Sequence, residues 1–152
     1  MPFGETTPMR TLLLGLLLLV VPMSAFAQAS PLGTWTTIDD TTGKPKSLIE
    51  VYHTADGKLA GRVVQILQTT RGPDPLCDKC RGERRNQPIK GMVILWGMER
   101  SGDVWKGGQI LDPASGKVYS AILRPVAGGT GMEVRGFMGF SLLGRTQVWV
   151  RQ

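Results

Sequence analysis

The sequence predicts an all-β protein, an antiparallel up-and-down barrel of about eight strands that follows a cleavable N-terminal leader. Three observations carry this reading. Beyond residue 27, no stretch keeps an amphipathic helical period over the roughly 10–12 residues that a capped helix needs. Short apolar runs alternate instead with clusters of Gly, Pro, Asp and Asn, the pattern of strands joined by turns. Several of those turns are also short enough to force sequence neighbours to pair antiparallel.

The leader comes first. Arg10 precedes the run Leu12-Leu13-Leu14-Gly15-Leu16-Leu17-Leu18-Leu19-Val20-Val21, which Pro22 ends, and Ala25-Phe26-Ala27 supplies the small residues a signal peptidase reads. An apolar core this short falls below the about 20 residues of a membrane-spanning helix, so residues 1–27 are expected to be a signal peptide rather than an anchor. No cysteine follows the cleavage site, which argues against lipid anchoring. Cleavage would leave residues 28–152 as a single β-barrel domain, exported and not transmembrane.

Strands are expected near 34–39, 47–53, 58–67, 91–97, 104–111, 117–124, 131–138 and 146–151. Asp56-Gly57 accepts the positive φ of a tight hairpin between the second and third. A second turn signal occurs twice, as Asp39-Asp40-Thr41-Thr42-Gly43-Lys44 and as Asp112-Pro113-Ala114-Ser115-Gly116-Lys117, where Asp caps a type I turn and Gly takes the left-handed position. Ala127-Gly128-Gly129-Thr130-Gly131 separates the sixth strand from the seventh. A meander of this length must hide two edges, and closure into a barrel does so. A two-sheet sandwich is the alternative. One long connection, 68–90, interrupts the rhythm with Pro73, Pro75, Pro88 and both cysteines. It is the expected lid or partner surface.

The formal net charge is +6, and loss of Arg10 and Glu5 with the leader leaves it unchanged. A basic exported domain is drawn to anionic surfaces, here lipid headgroups or envelope polymers rather than nucleic acid. Lys79, Arg81, Arg84, Arg85 and Lys90 cluster in the long connection against Asp78 and Glu83. Arginine forks suit phosphate and carboxylate, although the cluster is equally readable as a solvated face.

Cys77-Asp78-Lys79-Cys80 is the only Cys-x-x-Cys. In an oxidising compartment it reads as a disulfide. A redox centre would want a helix N-terminus in a βαβ unit, and a zinc site would need His53 plus recruited carboxylates. His53 is the sole histidine, and strand alternation places it with Ile49 and Val51 on the inner face. A general base needs a nucleophile or an orienting carboxylate beside it, and the sequence marks neither. No Gly-x-Ser-x-Gly elbow, zinc helix or P-loop is present, so no catalytic residue, metal or cofactor is expected.

Trp35, Trp96, Trp105 and Trp149, with Phe137, Phe140 and several methionines, are candidates for a core or a pocket wall. Gly61, Gly107, Gly108 and Ala121 are the small residues that could leave space between them. His53, Arg81, Arg84, Arg85, Trp96, Trp105 and Arg135 are the expected contacts for a ligand or partner, with Arg135 or Arg145 orienting an anionic end if either points inward.

Gly33-Thr34-Trp35 resembles the Gly-x-Trp signature that opens lipocalin-like barrels. The resemblance implies a barrel floor in which Trp35 is crossed by a late arginine, Arg145 or alternatively Arg151, in a cation–π pair worth about 0.5–2 kcal/mol. A wider set of motifs is more specific: Gly33 to Asp40, Gly43-Lys44-Pro45-Lys46-Ser47, Gly107-Gly108-Gln109-Ile110-Leu111-Asp112-Pro113, and Gly136-Phe137-Met138-Gly139 leading to Gly144-Arg145-Thr146-Gln147-Val148-Trp149. Together these resemble the small exported bacterial proteins of domain of unknown function 2147. That resemblance implies a lipocalin-like or calycin-like barrel in the bacterial periplasm with an unassigned small ligand, and it carries no catalytic residues. The barrel itself leads to the expectation of a small apolar or amphipathic ligand, with a non-catalytic envelope interaction protein acting through the basic loop 68–90 as the alternative and a hydrolase or redox enzyme as the lesser one.

Overall fold

The computed structural model describes residues 29–152, together with residues 1 and 4. The expected signal peptide, those two positions apart, lies outside the described residues. Among the described residues eight strands follow in order: β1 Gly33–Ile38, β2 Pro45–His53, β3 Leu59–Ile66, β4 Val93–Ser101, β5 Val104–Asp112, β6 Lys117–Val126, β7 Gly131–Phe137 and β8 Arg145–Arg151. Each pairs antiparallel with the next, and β8 closes onto β1 through Trp35↔Arg151 and Thr36↔Val150. The barrel is closed, so the sandwich alternative falls away.

The repeated turn signal works as local chemistry. Asp39 Oδ1 accepts from the Thr41 and Thr42 amides at 3.1 and 2.8 Å. Asp112 Oδ1 accepts from Ala114 N at 3.1 Å, and Asp112 Oδ2 accepts from Ser115 Oγ at 2.6 Å. Side-chain capping of the same kind therefore accounts for both copies.

β4 departs from expectation by running on to Ser101. Gly97 sits at φ 70°, and the break in alternation there turns Met98 into the core while Glu99 and Arg100 face solvent. An irregularity of this kind erases the period-2 signal that marks a strand.

Antiparallel order puts the connections 39–44, 67–92, 113–116 and 138–144 at one end, the mouth, and 54–58, 102–103 and 127–130 at the other, the floor. The floor half is filled by Trp35, Ile49, Leu59, Leu95, Met98, Leu123, Met132 and Trp149, all fully buried or nearly so. Gly61 and Gly108 belong to this packed half and open no cavity. A Cβ on Gly108 would lie 2.3 Å from the Trp96 carbonyl oxygen and 2.4 Å from Met98 Sδ, so the glycine is what lets β4 and Met98 approach.

The floor itself corrects one residue. Arg151, not Arg145, lies over the Trp35 ring, 4.2 Å from its centroid. Its guanidinium also donates to the carbonyls of Gly129, Leu32 and Ser30 at 2.6, 2.8 and 2.5 Å, while Trp35 Nε1 donates to Pro31 O at 2.8 Å. The segment before β1 is thereby tied to the β6–β7 loop. Gly33 is required here, because its φ is +112° and a Cβ would come within 3.0 Å of Arg151 Nη1. Arg145 begins β8 and therefore stands at the mouth, a strand length from Trp35.

A cavity at the mouth of the barrel

Above the packed half, the barrel holds a cavity of about 600 Å³ that opens at the mouth. β-strand alternation builds one wall. Met132↔Trp149, Val134↔Gln147 and Gly136↔Arg145 are register pairs, so Trp149, Gln147 and Arg145 share a face and rise in that order from mid-barrel to rim. Ile110, Tyr119, Val134, Gly136 and Phe137 form the apolar side across β5, β6 and β7.

Polar groups gather on β1, β2 and β8. Thr37 Oγ1 and Ser47 Oγ are 2.7 Å apart, and both residues line the cavity. Asp40 at the rim is ion-paired with Arg145 and accepts from Gln147 Nε2 at 2.7 Å. Asp39, Asp112 and Lys46 complete the charged lining. Lower down, Trp149 Nε1 is buried and has no acceptor within the protein, among the described residues. A buried donor of this kind is satisfied by a bound water or by a polar atom of a ligand.

The Asp39 carboxyl is held below its ordinary value of 3.8, chiefly by the Thr42 amide and then by the Thr42 hydroxyl. A lowered carboxylate stabilises its turn above the ordinary value and stops doing so as pH falls through the lowered one. The Thr42 amide resonance is therefore expected to titrate below pH 3.8 while the barrel resonances stay in place. A Thr42 amide that moves only with global unfolding would contradict this.

Of the residues expected to contact a ligand, Arg145 lines the cavity, paired with Asp40, and the others are not brought there. His53 is exposed at the floor end rather than inward, because β2 ends there. It borders a separate groove of about 360 Å³ with Arg100 and Trp105, and among the described residues no carboxylate lines that groove. Trp96 lies outside the cavity lining, with Arg84 4.3 Å from its ring centroid, and Arg135 donates to Thr146 Oγ1 at 2.9 Å. Arg81 and Arg85 are exposed on the long connection. Of the aromatic candidates, Trp149 and Phe137 do line the cavity. Ile110 and Gln147 lie within the family motifs but were not marked as lining residues, and Tyr119 and Val134 belong to no motif. Counting alternate residues outward from Trp149 and its register partner recovers Gln147 and Val134.

The long connection is not a flap over the cavity, since none of residues 67–92 lines it. It folds back on itself through the Leu76↔Pro88 bridge and packs against the β5–β6 turn. Cys77 and Cys80 are joined, with sulfurs 1.96 Å apart, and both are buried. Cys77 Sγ lies 3.6 Å from Pro113 O, and a Cβ on Gly116 would strike the Lys79 carbonyl at 2.0 Å. Buried sulfurs fit a structural bond better than an exchanging one, which needs access for an attacking thiolate. His53, at the opposite end of the barrel, cannot join the cysteines around a metal.

No curated protein matches the chain. A solved structure, described as protein HP1028 from the human pathogen Helicobacter pylori and as belonging to the lipocalin family, superposes with a TM-score of 0.69 at 20% identity. The match covers 82% of this chain and 84% of that one, and shows that the two share a fold. The model for uncharacterized proteins conserved in bacteria, DUF2147, matches residues 33–151, from the floor glycine to the floor arginine, and the chain belongs to that family.

Proposed function

We propose that the protein is an exported, non-catalytic carrier or sensor of the cell envelope that binds one small amphipathic molecule in the mouth cavity. The cavity carries this reading. Its volume of about 600 Å³ falls within the roughly 300–1,000 Å³ typical of small-molecule sites. Its lining is segregated, with aliphatic and aromatic side chains from β5 to β7 facing hydroxyls, an amide and an ion pair from β1, β2 and β8. Such a site excludes water from an apolar body while orienting a polar end.

The rim also selects among polar ends. Arg145 is already paired with Asp40, and Asp39 and Asp112 add further negative charge beside Lys46. An uncharged or zwitterionic head meets donors and acceptors there without repulsion, whereas a free carboxylate meets three aspartates. Saturable binding of a fluorescent acyl-chain probe, with energy transfer from Trp149, is the expected result. Displacement by same-length alcohols should be stronger than by carboxylates. Absence of saturable binding by any amphipathic probe would remove the carrier reading.

A further inference from the structure

We propose that the mouth end docks on an anionic phospholipid bilayer, with the β7–β8 loop entering the headgroup layer. Phe140, Leu142 and Leu143 on that loop are 79%, 89% and 81% exposed, a degree of apolar exposure that folded chains avoid unless something covers it. The distribution over the molecule is one-sided. Leu67, Leu76, Val118 and Met138, the other large apolar residues exposed at an end of the barrel, also lie at the mouth; among the described residues only Met1 and the outward-facing Val148 and Val150 of β8 are exposed elsewhere.

Charge is arranged to match. The connection 67–92, at the same end by topology, carries six basic residues against three acidic ones. Lys79, Arg81 and Arg85 on it are exposed. An apolar loop beside a basic one is the composition of a surface that lies in a membrane interface, the first entering the acyl boundary and the second meeting lipid phosphates. The same charge disfavours a second copy of the chain as the occupant, because a face-to-face pair would set the basic connection 67–92 against its own copy.

Phe140 and Leu142 do not line the cavity, so the surface is tested independently of ligand binding. In vesicle flotation, the protein should associate with phosphatidylcholine–phosphatidylglycerol vesicles and not with phosphatidylcholine alone, and should be released by salt. The double variant Phe140→Ser/Leu142→Ser should bind at least about tenfold more weakly, with unchanged thermal stability and unchanged uptake of the acyl probe. Arg81→Gln/Arg85→Gln should weaken binding and reduce its salt dependence. Equal binding to neutral and anionic vesicles, no binding to either, or full binding by the Phe140→Ser/Leu142→Ser protein would each overturn the proposal. A concentration-dependent dimer that these serines abolish, without vesicle binding, would assign the loop to a second copy instead.

Discussion

Trp35→Ala is expected to destabilise the barrel by about 3–5 kcal/mol, the range for truncating a fully buried aromatic side chain. The indole has no solvent exposure, its N–H is satisfied by Pro31 O at 2.8 Å, and its ring is covered by Arg151. Truncation removes all three at once and leaves a void under a guanidinium that still holds three backbone carbonyls. The two residues should therefore couple. In a double-mutant cycle with Arg151→Ala, followed by urea unfolding, an interaction energy of about 0.5–2 kcal/mol is expected from the cation–π contact. Arg145→Ala, at the far end of β8, should combine with Trp35→Ala additively. Arg151→Lys should not rescue, because an ammonium cannot fork to carbonyls on two separate segments. Additivity between Trp35 and Arg151 would show that the floor is held by something other than this contact.

The second large effect concerns the cavity. Gly136→Phe is expected to weaken probe binding by about a hundredfold or more, equivalent to about 2.7 kcal/mol, with little change in unfolding midpoint. Gly136 faces the cavity between Tyr119 and Ile110, and a Cβ there would meet their atoms at 3.5 to 3.7 Å, ordinary contact. Its φ lies outside the left-handed region, so an added side chain costs the backbone nothing special. A benzyl group would extend into space a ligand is proposed to occupy. Phenylalanine at a matched control site, Val148 on the outer face of β8, should leave binding intact, as that residue does not line the cavity. Retained affinity in the Gly136→Phe protein would place the ligand elsewhere, with the groove beside His53 and Trp105 as the next site to examine.

Most strands were legible because their determinants are local. Period-2 alternation, Asp-capped turns and the Asp56-Gly57 hairpin act over a few residues, and the structure reproduces them within a residue or two at most ends. β4 failed at Gly97 for the complementary reason: its extra residue is set against β3, between Leu59↔Met98 and Gly61↔Leu95, while Gly108 of β5 makes room for Met98, so the determinants lie on other strands. The family resemblance was likewise readable, since Gly33 and Trp35 stand two residues apart on one strand.

The floor arginine shows where local reading ends. Arg145 and Arg151 share a face of β8 and nothing in their own neighbourhood separates them; closure of β8 onto β1 does, because antiparallel pairing sets the end of one strand level with the start of the other. The cavity is the same kind of quantity. Small residues in the sequence marked Gly61 and Gly108, yet these are sites of close strand approach, and the open volume lies instead where Ile110, Tyr119, Val134 and Trp149 converge from four strands. By itself, then, the sequence determined strand number, turn chemistry, family and a net basic charge, all of which act between near neighbours or sum over the chain. Tertiary structure alone decided which arginine covers Trp35, which half of the barrel is filled, and that the exposed apolar and basic connections share one end, because volume and facing arise only when residues distant in the chain are brought around a common axis.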